Sequence, residues 1–572
     1  LLHTALKLRS QGFGPSRGNL ADIEAALDQR PNQVPLIHAL QDTVKFQKRN
    51  QARAAGAKPQ TQQVLAPAAP AAQGGDQPPA KKAAKKKSTP SGAPANAEAA
   101  AKPAPEAQVR SRELAGTFGG QRIAYKATIA DTILTGEDGK PEAVIVTTSY
   151  VKTPADPTRP VFFLYNGGPG SGSVWLQMGA FGPKRVAIPS DAKDDGAPPY
   201  PLLDNPDSLL DVTDIVFIDP VGTGFSRALG DTDPKEFWGV TKDAKSIAQF
   251  IRKWLDTNGR WNAPKYIGGE SYGTTRSAAL VNELEGSYND VALNGIILIS
   301  TVLDFGVGSE AQGNELVFVT NLPSMAATAL YHGKVSNPPA SVEAFVEEAR
   351  QWAIGPYLTA LAKGQKLPAA ERAQIRTQLA RYTGLSEAYL EQADLRVTPG
   401  RFYKELLRDQ GVTVGRLDAR YKGKDYDNAG EEPDNDPSFY GIDGSYTAAM
   451  NAYARDELKF SPPRDYVTIG GVRDWDWRIG GRDANAYLNV APYIGRALRE
   501  NSGLRVFVGQ GWYDFATPFF AAEYSLSRTG IPQDRIQYHY YDAGHMMYVR
   551  EADLVKLSND VRGFIKSQTT GR

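Results

Sequence analysis

The run Gly268-Gly269-Glu270-Ser271-Tyr272-Gly273 sits between a short β-prone segment, Lys265-Tyr266-Ile267, and a helix-prone stretch from Thr274 to Glu285. A strand that passes into a helix through G-x-S-x-G must make a sharp, strained turn. Small residues on both sides of the serine leave room for that turn, which pushes Oγ clear of the backbone. An exposed hydroxyl suits attack on a carbonyl. A serine is nevertheless a weak nucleophile, so the motif predicts a base and an orienting acid elsewhere in the chain.

In a sheet of this kind the partners follow the serine as acid, then histidine, each after a later strand. Histidine occurs only at positions 3, 38, 332, 539 and 545, so the search is short. The apolar run Leu504-Arg505-Val506-Phe507-Val508 reads as a buried strand. Gly509-Gln510-Gly511-Trp512-Tyr513-Asp514 then places Asp514 on a loop at its carboxyl end. The next strand, Ile536 to Tyr541, leads into Asp542-Ala543-Gly544-His545. His539 falls inside that strand, whereas His545 follows a glycine on a loop, so His545 is the candidate base. Asp514 is the candidate acid, with an ordinary turn aspartate as its competing reading.

Acyl transfer also needs donors for the tetrahedral oxyanion, each typically worth ~3–4 kcal/mol. The backbone N–H of Tyr272, next to the nucleophile, is one candidate; the other belongs on a loop after an earlier strand. Val161-Phe162-Phe163-Leu164-Tyr165 is such a strand, and Asn166-Gly167-Gly168-Pro169-Gly170 follows it. Glycines there let backbone approach a ligand closely. A phosphate cradle is excluded, because the Lys-Ser/Thr pair of a P-loop is missing.

Together Asn166-Gly167-Gly168-Pro169-Gly170, Gly269-Glu270-Ser271-Tyr272-Gly273 and Gly544-His545-Met546 resemble the serine carboxypeptidase family. Asp219-Pro220-Val221-Gly222-Thr223-Gly224-Phe225-Ser226 adds a fourth family-like block, and the blocks span about residues 120 to 567. Trp175, Ala180-Phe181-Gly182-Pro183 and Met547-Tyr548 look closer to bacterial members than to plant or fungal ones. The resemblance implies an α/β-hydrolase fold: a mostly parallel central sheet flanked by helices, with a helix-rich cap insertion. It implies release of C-terminal residues from peptides or proteins through an acyl-enzyme, favoured at acidic pH. Ser271, Asp514 and His545 would form the triad, and the amides of Gly168 and Tyr272 the oxyanion hole. Asn166 and Glu270 would grip the substrate's terminal carboxylate.

Two residues depart from the family pattern. Many members pair the glutamate beside the nucleophile with a second one, and the matching position here is Ala180. A glutamate must be protonated to bind a carboxylate; burial and a neighbouring carboxyl both raise its pKa. With Ala180 in place of that partner, the pKa of Glu270 is expected to be less elevated. The competing reading of Glu270 is a favourable charge at the start of the following helix. Ser171 stands where plant and fungal members usually carry cysteine. An esterase or acyltransferase on the same triad is the alternative function, and a non-catalytic binder the third reading.

The 572 residues, 41% of them hydrophobic, can bury a large core, and a net charge of +1 gives no global case for a nucleic-acid partner. No apolar run is long enough to span a membrane. The absence of cysteine excludes disulfides and thiol catalysis, and no metal-ligand spacing is present, so no metal or cofactor is expected. Residues 1–50 read as a short helical segment of unknown role. Residues 51–108, rich in Ala, Pro and Lys, should be a disordered linker. The hydrolase core is expected over 109–304 and 501–572, with the cap over 305–500, helical at Ser341 to Trp352 and Ala369 to Tyr382 and loop-like around 425 to 444. Trp475 and Trp477 read equally as cleft residues or as part of a packed strand. A periplasmic or extracellular location is expected, although no signal peptide of the usual three-part form is visible.

Overall fold

A computed structural model of the protein describes residues 106–286, 290–479 and 487–569. The helical pieces expected over 1–50 and most of the linker expected over 51–108 lie outside the described residues.

The described chain is built on one ten-stranded sheet. Its first strands are β1 (Val109–Phe118), β2 (Gln121–Thr135), β3 (Pro141–Lys152) and β4 (Val161–Tyr165). Then come β5 (Asp214–Asp219), β6 (Lys265–Ser271), β7 (Gly295–Thr301), β8 (Arg505–Gly511) and β9 (Ile536–Tyr541). The order is β1-β2-β3-β5-β4-β6-β7-β8-β9, with a two-residue strand, Arg227–Ala228, pairing to β3. The first three strands pair antiparallel, and the six from β5 to β9 run parallel. Parallel strands covered on both faces need apolar residues at every position rather than at alternate ones. Val161-Phe162-Phe163-Leu164-Tyr165 and Ile296-Ile297-Leu298-Ile299 meet that need and are wholly buried. β1 was not anticipated: its side chains are mostly exposed, so it carries no apolar signal.

Helices α1 (Val240–Asn258), α2 (Tyr272–Leu284) and α3 (Leu316–Tyr331) follow β5, β6 and β7. In α1, Val240, Ala244, Ile247, Ile251, Trp254 and Leu255 face inward with a 3.6-residue period, and Gly259 closes the helix in a left-handed conformation. α4 (Ala491–Glu500) and the terminal α5 (Glu551–Thr569) complete the flanking layer.

The long segment between β7 and β8 is rich in helix, with Val342–Trp352 and Ala369–Thr383 at the expected places. The expected loop near 425 to 444 is corrected in its second half, where helices begin at Pro437 and Asp443. Side chains of this segment share an apolar cluster with Trp512, Tyr513, Phe515, Phe519 and Phe520. The insertion is thereby packed directly against the loop that carries Asp514.

Candidate active site

β6 delivers Ser271 at its carboxyl end with φ 61 and ψ −129. A side-chain-bearing residue reaches that region only at a cost of about 1–3 kcal/mol. The flanking glycines are required by contact: a Cβ on Gly269 would overlap the carbonyl of Gly273. One on Gly273 would lie 2.9 Å from the Tyr165 carbonyl at the end of β4. Gly167 is equally constrained, since its Cβ would fall 2.5 Å from the Tyr272 nitrogen. The glycine loop after β4 therefore lies directly on the turn around Ser271. Gly168, with φ 100, and Tyr272 both line the same cavity as the serine.

A buried arginine fixes this junction. The Arg276 guanidinium, one turn into α2, donates to Asp243 Oδ2 at 2.6 Å and to the Asn166 carbonyl. Its carbon lies 5.3 Å from the Tyr165 ring centre and 5.2 Å from that of Tyr272. Sequence reasoning missed Arg276, which belongs to no motif.

Asp514 and His545 stand on loops after the adjacent strands β8 and β9, with His545 Nδ1 2.8 Å from Asp514 Oδ2. Asp514 is fully buried; its Oδ1 accepts the N–H groups of Ala516 and Thr517 at 2.8 and 3.0 Å. The Thr517 hydroxyl donates to Oδ2 at 2.6 Å. Burial alone would raise this carboxyl; the adjacent histidine and these donors outweigh it and hold it below the ordinary aspartate value. For His545 burial works against the charged ring, but the Asp514 carboxylate, with Glu270 further off, prevails and raises its pKa. His539 lies within β9, stacked on Phe507 and paired with Asp560 at 3.2 Å.

Glu270 is 3% exposed and both its oxygens are engaged. Asn166 Nδ2 donates to Oε1 at 2.9 Å, and the Tyr548 hydroxyl donates to Oε2 at 2.7 Å. Asn166 is itself oriented by the Leu176 N–H, 3.0 Å from its Oδ1. Burial pushes the Glu270 carboxyl up to about 7, against the lowering effects of His545 and Tyr548. The elevation expected to weaken with Ala180 is thus supplied by burial. A Cβ on the preceding Gly179 would sit 2.6 Å from the Tyr548 ring, so glycine there makes space for the tyrosine. Tyr548 was missed in this role; its place three residues after His545 was the available signal. At the other departure, the Ser171 hydroxyl accepts the indole N–H of Trp175 at 3.0 Å.

A strap from the insertion ties the loops of Asp514 and His545 together. The Arg416 carbonyl accepts the Phe515 N–H at 3.1 Å, and the Ala419 N–H donates to the Tyr513 carbonyl at 3.0 Å. The Leu417 carbonyl accepts the His545 N–H at 2.6 Å, and Asp418 Oδ2 accepts the Gly544 N–H at 3.0 Å. Asp418 is held in turn by Arg420, 2.5 Å away.

Asn166, Gly168, Glu270, Ser271, Tyr272 and His545 line one cavity of about 560 Å³. Thr517 lines it as well, with Asp514 buried behind. Trp477 also lines it, 5.8 Å from the Tyr272 ring and 5.1 Å from Phe305. Its segment is extended loop with one isolated bridge at Asp476, so the packed-strand reading of Trp475 and Trp477 is corrected. Among the described residues no group of three or more His, Asp or Glu side chains could hold a metal ion.

Residues 149–333 match the sequence pattern of the family described as Serine carboxypeptidase. Serine carboxypeptidase-like 13 of Arabidopsis thaliana is 29% identical over 169 residues, covering 29% of this chain. The chain spans 38% of that relative's length. A prohormone-processing carboxypeptidase from Saccharomyces cerevisiae aligns in structure at 16% identity and a TM-score of 0.46, covering 78% of this chain and 91% of that one. A proline iminopeptidase from Mycobacterium smegmatis aligns at 12% identity and a TM-score of 0.30, covering 77% and 98%. The glycine loop and the serine turn both fall within the residues that match the family's pattern.

Proposed function

We propose that the protein is a serine carboxypeptidase that removes C-terminal residues from peptides through an acyl-enzyme. The observation that carries this reading is a buried carboxyl, Glu270, one residue before a strained serine that shares a cavity with His545, itself paired to Asp514. Ser271 Oγ attacks the scissile carbonyl and passes its proton to His545 Nε2. Asp514 keeps the other ring nitrogen protonated and stabilises the imidazolium. The N–H groups of Gly168 and Tyr272 receive the oxyanion. Asn166 and protonated Glu270 hold the terminal carboxylate, with Tyr548 in place of the second glutamate.

The bacterial type of the family is favoured by Trp175 and Tyr548, which both stand at this site. A periplasmic or extracellular location accords with the Ala/Pro-rich composition of residues 51–108. No described helix is long and apolar enough to cross a membrane.

The charges set the pH behaviour. Neutral Glu270 no longer helps to hold a proton on His545, so the acid form of one favours the base form of the other. Turnover of a free-acid peptide should therefore fall about tenfold per pH unit above the Glu270 pKa of about 7. Its C-terminal amide should be a poor substrate, and a simple ester should lack the alkaline fall. Measurement of kcat/KM against pH for all three tests the assignment. Equal use of acid and amide would favour the esterase or acyltransferase instead.

Tyr548→Phe gives a signed prediction. The lost hydroxyl lowers the Glu270 pKa in the native protein, so its removal should move the alkaline limb for peptides to higher pH. An unmoved limb, with normal folding, would remove Tyr548 from carboxylate recognition.

A further inference from the structure

Arg416 enters the active-site cavity from the strap, and among the described lining residues it is the sole lysine or arginine. The lining acids are all engaged. Glu270 is held by Asn166 and Tyr548. Asp304 accepts from the Gly306 N–H and the Asn489 amide at 2.9 and 2.7 Å. Asp436 accepts the N–H groups of Arg416, Leu417 and Ser438 at 3.0, 3.1 and 3.0 Å. Arg416 differs: its residue is exposed, and its guanidinium forms no hydrogen bond or ion pair with any described residue.

Its position is nevertheless fixed. The N–H is pinned to Asp436, and the carbonyl to Phe515, one residue beyond Asp514. Its charge is felt at the catalytic histidine, where it opposes protonation. An arginine held in place by its backbone, with five donors that no described residue accepts, has the makings of an anion receptor.

We propose that Arg416 binds a carboxylate of the substrate and so selects for acidic peptides. The inference rests on the peptide-hydrolase reading above. There Asn166 and Glu270 take the terminal carboxylate, which leaves Arg416 for an aspartate or glutamate side chain next to the scissile bond.

The test reads binding, so it stands apart from turnover. Calorimetry on the full chain carrying Ser271→Ala would use N-acetylated tetrapeptides with Glu, its neutral isostere Gln, or Lys at the last or next-to-last position. Each would be prepared as the free acid and as the amide. At one position Glu should bind about five- to tenfold tighter than Gln, an advantage that shrinks in high salt. Adding Arg416→Gln should abolish it, and Arg416→Glu should turn the preference towards Lys, with unchanged thermal melting in both. If Arg416→Gln instead weakens every free acid equally and spares the amides, the bound carboxylate is the terminal one, and selection for acidic peptides is overturned. Unchanged Glu/Gln and acid/amide ratios would overturn the proposal. Wild-type protein that binds these peptides as expected but leaves them uncleaved would refute only the carboxypeptidase reading. Failure to bind any of them would overturn both.

Discussion

On the proposed triad, Asp514→Asn should lower kcat by about 10⁴-fold with little change in KM, the loss the same change causes in a Ser-His-Asp protease. The substitution keeps the shape, and the new side-chain carbonyl can still accept the Ala516 and Thr517 N–H groups that now reach Oδ1. The other oxygen, 2.8 Å from His545 Nδ1, becomes an amide NH₂. That group donates where the carboxylate accepted, so the ring proton is driven to Nε2, where no proton can then be taken from Ser271. The raised pKa of His545 also goes, since Asp514 is the main influence opposing burial. Steady-state turnover of an N-blocked dipeptide, with the rate of fluorophosphonate labelling of Ser271 as an independent readout, would measure the loss. A loss below tenfold in a normally folded variant would mean that another group orients the histidine.

What the sequence disclosed about this site depended on how local each signal was. The serine turn was legible because its constraints lie within five residues: Gly269 and Gly273 must be small since each faces backbone. The parallel strands were legible because burial on both faces leaves unbroken apolar runs such as Val161 to Tyr165. The exposed β1 had no such run. Arg276, Tyr548 and the strap were hidden for a different reason. Each acts through a partner far away in the chain: Tyr548 reaches Glu270 across 278 positions. Composition and periodicity carry no record of such pairings. Trp477 was undecidable because aromatic spacing alone does not distinguish a strand from a loop draped over Tyr272.

Gly544→Ala should cut kcat about 100-fold, for peptide and ester alike, although residue 544 contributes no catalytic atom. Gly544 is not among the residues with positive φ, so an alanine meets no backbone penalty there. The obstacle is the strap. A Cβ would overlap the Leu417 carbonyl and lie 2.5 Å from both Cα and Cβ of Asp418, and none of these is the mobile end of a side chain. Either the histidine loop or the strap has to shift. If the loop shifts, the 2.6 Å bond from the His545 N–H to Leu417 is lost and the imidazole is displaced in the cavity it shares with Ser271. If the strap shifts, the Phe515 N–H loses the Arg416 carbonyl and the loop bearing Asp514 loosens. A displacement of about 1 Å in catalytic geometry is enough for a loss of this size. Overpacking should also cost about 1–3 kcal/mol of stability, read as a lower Tm. Asp418→Asn separates the two effects: it removes the charge paired with Arg420 while keeping an oxygen for the Gly544 N–H, so stability should fall more than kcat. A Gly544→Ala protein with kcat within threefold of wild type would show that the strap does not hold the histidine in register.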